Sequence, residues 1–213
     1  MTVRLKPDTP YVDADMRVIA GALKGRRLKT PDWEGLRPTS DKLRETLFNI
    51  LAPRIAGARV VDAYAGTGAV GIEAISRGAR EVIFIDHDRR AQELIAGNLA
   101  HCGITTGYNV VRTGALRALE SLGNGAFGPV DPVDIIWLDP PYEASEAELL
   151  GVLAAAGEAL APDGMAVLER ARRRPGPDTA GRLGRSRDVV SGQSALTFYL
   201  CRPSLFTPAP SIR

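Results

Sequence analysis

The chain has 213 residues, 45% of them apolar, and a formal net charge of +2 at pH 7. This length fits one large domain, or one domain with a small appendage, and the composition is typical of a globular protein with an ample core. No apolar run approaches the ~20 residues of a membrane-spanning helix, and no signal peptide is expected. The two cysteines and two histidines cannot form a His/Cys metal cluster, and they indicate a reduced, cytoplasmic setting.

The charges are segregated along the chain. Residues 1–59 hold 12 Lys/Arg against 7 Asp/Glu, and residues 170–213 hold 9 against 2, whereas residues 60–169 hold 6 against 16. Basic flanks around an acidic centre favour a polyanionic partner, because Lys and Arg contact phosphates. An ordinary solvated surface is the alternative interpretation.

The first part of the chain predicts a small basic extension. Residues 1–15 lack periodicity and are expected to be a disordered leader. Residues 16–21 and 25–29 resemble two short strands around a glycine-containing turn, which predicts a basic hairpin. Residues 36–40 lead into a helix whose apolar positions lie on one face. These positions are Leu43, Leu47, Ile50 and Leu51. The predicted extension covers residues 16–53.

From residue 59 onward, strand-like and helical patterns alternate. Strands are predicted around 60–61, 82–85, 110–111, 135–138 and 166–168, and helices around 69–77, 88–100, 114–121 and 145–160. This alternation predicts an α/β fold, a Rossmann-like, seven-stranded, mostly parallel sheet with helices on both faces. Residues 188–190 and 196–200 predict a terminal hairpin at the sheet edge. The main domain is expected to span 54–202, followed by a loose tail, 203–213.

A glycine loop follows the first strand of this region. The loop, Asp62-Ala-Tyr-Ala-Gly66-Thr67-Gly68-Ala-Val-Gly71, also matches the G-x-G-x-x-G pattern of NAD and FAD proteins. Asp62 at the strand end would repel a pyrophosphate but attract a cationic methionyl group, and Asp86 is placed to bind two ribose hydroxyls. Asp88 is expected to cap the next helix. A ligand with a ribose and a positive charge, but without phosphates, indicates S-adenosylmethionine.

A second motif, Asp139-Pro140-Pro141-Tyr142, follows a buried apolar strand. The two prolines lack N–H donors and stiffen the turn, so that it presents carbonyl acceptors beside a carboxylate and an aromatic ring. Such a turn can hold a planar base with an exocyclic amino group. The carboxylate and a carbonyl accept its two N–H bonds, and Tyr142 stacks on the ring. An ordinary proline-rich turn, with Tyr142 as a core residue, is the alternative.

Together, these motifs resemble the class I methyltransferases that act on exocyclic amines of nucleobases. The segment Arg37-Pro-Thr39-Ser-Asp-Lys-Leu-Arg44-Glu-Thr-Leu-Phe-Asn49, with Arg17-Val-Ile-Ala-Gly21 and Lys24-Gly-Arg26, closely resembles the RsmD family. That family methylates the guanine N2 amine of 16S ribosomal RNA in the bacterial small subunit. The resemblance covers about residues 16–202.

The resemblance implies a target, partners and site residues. The target would be guanine 966 in bacterial numbering, in free 16S ribosomal RNA or in an assembled small-subunit particle. The protein is expected to be a monomer without a metal or a membrane partner. The implied catalytic residues are Asp139, Pro140, Pro141 and Tyr142. The implied S-adenosylmethionine site is Asp62, Ala63, Tyr64, Gly66, Thr67, Gly68, Asp86, His87, Ala115 and Asp139. The implied RNA-binding residues are Arg17, Lys24, Arg26, Arg27, Arg37, Thr39 and Arg44.

One departure from the family and three rival functions bear on this assignment. Many relatives have Asp or Asn where Gly114 stands, so the backbone at Ala115 is expected to replace the side-chain contact to adenine. A DNA or RNA adenine-N6 methyltransferase would use a nearly identical turn, but 213 residues leave no room for a separate DNA-recognition domain. An NAD-dependent oxidoreductase and a non-catalytic RNA-binding protein are the second and third rivals.

Overall fold

The computed structural model describes residues 11–12, 16–31, 41–124 and 131–202. The helices are α1 (Asp41–Ile55), α2 (Ala69–Ser76), α3 (Arg89–His101), α4 (Ala115–Gly123) and α5 (Glu146–Ala159). The strands are β1 (Tyr11–Val12), β2 (Thr30–Pro31), β3 (Arg59–Ala63), β4 (Glu81–Asp86), β5 (Tyr108–Arg112), β6 (Val133–Leu138), β7 (Leu160–Ala171), β8 (Thr179–Ala180), β9 (Leu183–Ser191) and β10 (Ser194–Cys201). The four helices predicted in the alternating region are present, and their ends lie within two residues of the predicted ones.

Eight of the described strands form one sheet in the order β5-β4-β3-β6-β7-β10-β9-β8. The five strands from β5 to β7 are parallel, and β10, β9 and β8 continue the sheet antiparallel. The predicted Rossmann-like sheet is confirmed, but it has one strand more than the seven predicted, because the two-residue β8 pairs with β9. The predicted terminal hairpin is also present as β9 and β10.

The direction of the chain through the sheet reverses between β3 and β6. From β3 the chain proceeds to β4 and β5 on one side, and then crosses to β6 and β7 on the other side. In open α/β sheets, ligands bind beyond the carboxyl ends of the strands at such a switch point. The topology therefore places the expected site after β3 and β6.

Two apolar layers cover the sheet. Leu47 of α1, Phe84 of β4 and Ile95 of α3 belong to one buried cluster, which also includes residues of α2. The second cluster, on the opposite face, contains Ile136 of β6 and Leu153 of α5 together with residues of α4. Side chains alternate between the faces of a strand, so a strand buried on both faces reads as a continuous apolar run.

The segment 16–31 packs against the first of these layers. It forms a turn with one antiparallel bridge, Arg17 to Arg27, rather than the two predicted strands. The carboxylate of Glu73 on α2 accepts hydrogen bonds from the amides of Ile19 and Ala20, at 2.7 and 3.0 Å. These amides are therefore unavailable for a longer β ladder. Val18 of this segment is buried in the shared core.

Two residues of the predicted leader are described in the structure, as the strand β1. Tyr11–Val12 pairs antiparallel with Thr30–Pro31. The rest of the leader and the predicted tail 203–213 lie outside the described residues. None of the described helices has both the length and the apolar character needed to cross a membrane.

Candidate active site

A cleft of about 900 Å³ lies beyond the carboxyl ends of the parallel strands. The structure brings together in its walls most of the residues that the sequence predicted for the cofactor and for catalysis. They are Asp62, Tyr64, Gly66, Thr67, Asp86, His87, Asp139, Pro140, Pro141 and Tyr142. Protein ligand sites typically measure ~300–1,000 Å³. The cleft is therefore large enough for a cofactor and part of a second ligand.

Three of the predicted cofactor residues do not line this cleft. Ala63 ends β3 within the core, and Gly68 precedes α2 as its N-terminal cap. Ala115 is buried in the layer beneath α4, of which it is the first residue. Gly114 gives that helix no side-chain cap. The predicted contact between Ala115 and adenine therefore has no counterpart among the cleft-lining residues.

The glycine loop follows β3 in a tight, partly left-handed path. Tyr64 has a φ of 65°, and it is the only non-glycine residue with a positive φ among the described residues. A Cβ on Gly71 would lie 2.2 Å from the ring of Phe84, so this glycine permits close packing of α2 on β4. The G-x-G-x-x-G match thus has a structural cause at its third glycine, independent of any dinucleotide.

Asp86 is held in place by the loop that it faces. Its Oδ2 accepts a hydrogen bond from the Gly66 amide, and its Oδ1 accepts one from the Asp88 amide, both at 2.9 Å. A carboxylate offers about four lone-pair sites, so two remain for further donors. His87 is exposed beside it, with Nδ1 3.7 Å from Asp86 Oδ1. Asp88 caps α3 through the Arg90 amide, as predicted.

Asp62 is buried, with 1% of its surface exposed, and its Oδ2 accepts a hydrogen bond of 2.8 Å from the Gly71 amide. Burial raises the pKa of Asp62 to about 8, the Gly71 hydrogen bond opposes this shift, and the charge of Asp86 adds to it. Burial therefore favours the neutral form of Asp62. The charge argument from the sequence assumed an ionised Asp62, and burial opposes that form.

The Asp139–Tyr142 turn connects β6 to α5. Asp139 and Pro140 are partly buried, whereas 46% of the Tyr142 surface is exposed. The Ala144 amide donates to the Pro141 carbonyl at 3.0 Å. Beyond the turn, Ser145 and Glu148 form a capping box at the start of α5. The turn is thus held where it meets α5, and the exposed Tyr142 lines the cleft.

Another acidic residue, which the sequence did not predict for the site, also lines the cleft. Glu169 of β7 is buried, and its Oε1 accepts a hydrogen bond of 2.9 Å from the Ser194 hydroxyl of β10. The turn Ser191–Ser194 closes this side of the cleft. An acid near the end of a buried strand was the available signal, because Asp62, Asp86 and Asp139 also lie at or near the carboxyl ends of parallel strands.

The predicted RNA-binding residues have different environments. Arg17, Lys24, Arg26 and Arg27 are exposed, although Arg26 Nη1 donates to the Cys102 carbonyl. Arg37 and Thr39 lie outside the described residues.

Arg44 does not fit the predicted role in RNA binding. Its side chain is fully buried, and its Nη2 donates to the Arg17 carbonyl at 2.8 Å and to Asp41 at 2.6 Å. Nη1 lies 3.9 Å from the buried Glu73. The prediction for Arg44 is therefore wrong, because the guanidinium links α1, the segment 16–31 and α2 inside the protein.

Within residues 16–31, 41–124 and 131–202, no group of three or more His, Cys, Asp or Glu side chains could hold a metal ion. The cleft carboxylates instead have amide and hydroxyl donors as neighbours. The polar groups available to a ligand are therefore mainly acceptors, which suit a ligand that carries hydroxyl and amino groups.

Comparison with known proteins adds to this geometry. The model of the family described as conserved hypothetical protein 95 matches residues 16–200. The chain is 35% identical over 184 residues to ribosomal RNA small subunit methyltransferase D of Escherichia coli, an alignment covering 86% of this chain and 89% of that protein.

Solved structures share the same fold. The Escherichia coli protein yhhF has a TM-score of 0.75 and 30% identity, and the match covers 89% of this chain and 99% of that one. SMU.776, solved in complex with SAH, shares the fold with a TM-score of 0.67 at 13% identity, over 94% of this chain and 58% of that one. The chain belongs to the RsmD family of class I S-adenosylmethionine-dependent methyltransferases.

Proposed function

We propose that the protein transfers the methyl group of S-adenosylmethionine to the exocyclic N2 amine of a guanine in 16S ribosomal RNA. One observation carries the proposal. A single cleft at the switch point of the sheet unites the glycine loop, the fixed carboxylate of Asp86 and the Asp139–Tyr142 turn. Cofactor-type and base-type residues therefore face the same space.

The residues after β3 and β4 would hold the cofactor. Asp86 keeps lone pairs for two ribose hydroxyls while the amides of Gly66 and Asp88 fix its orientation. Asp62, on the neighbouring strand β3, lines the same cleft. When bound, the cofactor supplies an electrophilic methyl group on a sulfonium, whose positive charge favours the ionised form of Asp62.

The turn after β6 would hold the target base. Asp139 and the Pro140 carbonyl accept the two amine hydrogens, which favours a pyramidal nitrogen with its lone pair directed at the methyl group. Tyr142 provides an exposed ring for stacking. Because this arrangement works by positioning, no strong base is required. The amine would take up the methyl group as the carbon–sulfur bond of the sulfonium breaks, and the methylated amine, which is acidic, would lose its extra proton to water. The target nucleotide must leave its stack or be single-stranded to reach the cleft.

The choice of ribosomal RNA rests on the relatives and on charge. The Escherichia coli relative is named as a ribosomal RNA small subunit methyltransferase, and exposed basic residues in the segment 16–31 suit a polyanion. We also propose that the protein works in the cytoplasm as a monomer, on free RNA or on an assembled small-subunit particle. The thiols of Cys102 and Cys201, which are unpaired, are compatible with a reducing compartment.

The test is methyl transfer to unmodified substrate. Purified protein is incubated with labelled S-adenosylmethionine and either 16S ribosomal RNA transcribed in vitro or small-subunit particles assembled from it. Nucleoside digestion and mass spectrometry should detect N2-methylguanosine at one position. N6-methyladenosine would support the adenine rival instead, and cofactor binding without transfer to either substrate would contradict the proposal. Titration with NAD tests the oxidoreductase alternative in the same preparation.

A further inference from the structure

Three consecutive arginines, Arg172, Arg173 and Arg174, form the turn that follows β7. We propose that this arginine turn binds the phosphates that flank the target nucleotide and so guides the base into the cleft. The inference rests on the proposed function, and it adds an RNA contact outside the segment 16–31.

The fold places the arginine turn at the cleft. β7 is parallel to β6, so the residues that follow these strands lie at the same edge of the sheet. The Arg172 amide donates to the Gln193 carbonyl at 2.8 Å, and Gln193 lines the cleft. Arg174 Nη1 donates to the Tyr142 carbonyl at 3.0 Å. The turn is thus attached both to the hairpin wall of the cleft and to the proposed catalytic turn.

The charges of this turn are available to a ligand. All three arginines are exposed. Within the part of the chain that the structure describes, the guanidinium groups of Arg172 and Arg173 have no ion pair or hydrogen bond with protein groups. Arg174, in contrast, donates one N–H of its guanidinium group to the Tyr142 carbonyl. Planar guanidinium groups with free donors match the geometry of phosphate oxygens.

The acidity of the cleft explains why positive charge is needed at its rim. Six acidic residues line the cleft against two basic ones, Lys42 and Arg90; the acids are Asp62, Asp86, Asp88, Asp139, Glu143 and Glu169. An RNA backbone that approaches these groups meets acceptors and negative charge, which oppose phosphate binding. Arginines beside Tyr142 would offset this repulsion while the uncharged base enters. A neighbouring basic rim is therefore the expected means of bringing RNA to an acidic pocket.

The experiment compares two double variants that remove the same charge. Arg172→Gln with Arg173→Gln tests the arginine turn. Arg54→Gln with Arg182→Gln is the matched control, because both residues are basic but lie away from the cleft. Arg54 Nη1 donates to the Asp163 carbonyl at 2.8 Å, and Arg182 lies 4.0 Å from Glu158. A long-range effect of net charge should be similar in the two variants.

Binding of 16S ribosomal RNA is measured by fluorescence anisotropy over a salt series, and methyl transfer is measured by steady-state kinetics. The slope of log affinity against log salt is negative, and loss of two phosphate contacts should make it shallower by about 1.4. The KM for RNA should rise roughly tenfold, with kcat changed less than about twofold, because the catalytic groups remain. S-adenosylmethionine affinity, measured by calorimetry, should stay unchanged. An unchanged affinity would confirm that each variant is folded.

Two results would overturn the inference, and they are distinguishable. If the wild type methylates RNA but the two double variants have the same slope and KM, the arginine turn does not contact RNA, and the proposed function stands. If the wild type neither binds nor methylates RNA, the proposed function fails together with the inference.

Discussion

Asp139 is the residue on which the proposed chemistry depends most. It follows β6, is partly buried and lines the cleft beside the two prolines. Asp139→Ala should abolish methyl transfer while S-adenosylmethionine affinity stays within about tenfold, because the carboxylate is assigned mainly to the target amine. Single-turnover transfer and calorimetry measure the two effects.

Glu143→Ala is the matched control for Asp139, since Glu143 is an exposed acid that lines the same cleft. We expect it to retain most of the activity. Turnover of the Asp139 variant at a tenth of the wild-type rate or more would exclude a catalytic role.

Asp62 should make cofactor binding depend on pH. Its pKa is raised from the ordinary 3.8 to about 8 by burial. A sulfonium nearby favours the ionised form, so binding of S-adenosylmethionine should release a proton and strengthen from about pH 6 to pH 8. S-adenosylhomocysteine, which lacks the charge, should show a smaller increase. Calorimetry in buffers of different ionisation enthalpy counts the proton, and Asp62→Asn should remove it.

The raised pKa of Asp62 also makes the free energy of unfolding depend on pH, and this contribution decreases as the pH rises. Between pH 3.8 and about 8, the folded chain retains a proton on Asp62 that the unfolded chain loses. The contribution of this group to the free energy of unfolding is therefore fully present below about pH 4 and is lost as the pH rises to about 8.

Cofactor binding that is independent of pH and releases no proton would contradict the proposed position of Asp62 beside the sulfonium.

At the scale of elements, Glu73 of α2 holds the segment 16–31 against the sheet domain. It is fully buried, accepts the amides of Ile19 and Ala20, and pairs with Arg77 Nε at 2.6 Å. Glu73→Gln removes the charge but keeps the shape, which takes the ion-pair partner from Arg77 and leaves the buried Arg44 with Asp41 alone. We expect a loss of about 3–5 kcal/mol in the free energy of unfolding, measured by urea denaturation.

Glu93→Gln is the control for Glu73. Glu93 forms an exposed i,i+4 pair with Arg89 on α3, and such surface pairs contribute less than about 1 kcal/mol. Limited proteolysis provides a second measurement, because release of the segment 16–31 should expose it to cleavage in the Glu73 variant. Equal stability of the two variants would show that Glu73 does not fix this segment.

The packing around Glu73 also shows what the sequence could not predict. Arg44 adjoins the apolar positions of α1, and a basic residue there favours solvent or RNA. Its burial depends on Glu73 and on the Arg17 carbonyl, which are distant in sequence. Periodicity describes each helix alone, whereas such polar contacts arise only when elements pack. For the same reason, the Ile19 and Ala20 amides were predicted to belong to strands.

At the scale of the whole molecule, the alternating order of strands and helices was sufficient to predict the sheet and the edge where the cleft lies. Parallel strands bring their carboxyl ends together, so Asp62, Asp86 and Asp139 could be grouped without a structure. The antiparallel end was harder to predict. The two residues of β8 are too few for a periodic signal, and the contact of Glu169 with Ser194 depends on the pairing of β10 with β7.

The distribution of charge over the molecule leads to the last prediction, which concerns the segment 16–31. Lys24 and Arg27 are exposed there, whereas Arg26 contacts the Cys102 carbonyl, so a change at Arg26 would also disturb packing. Lys24→Gln with Arg27→Gln should make the negative slope of log RNA affinity against log salt shallower by about 1.4, without altering cofactor affinity. Combined with Arg172→Gln and Arg173→Gln, the change should be about 2.8, because contacts at separate sites are additive. Anisotropy titrations over a salt series measure both slopes, and circular dichroism checks the fold. An unchanged slope in the Lys24 and Arg27 variant would restrict RNA binding to other surfaces and make these two residues ordinary solvated charges.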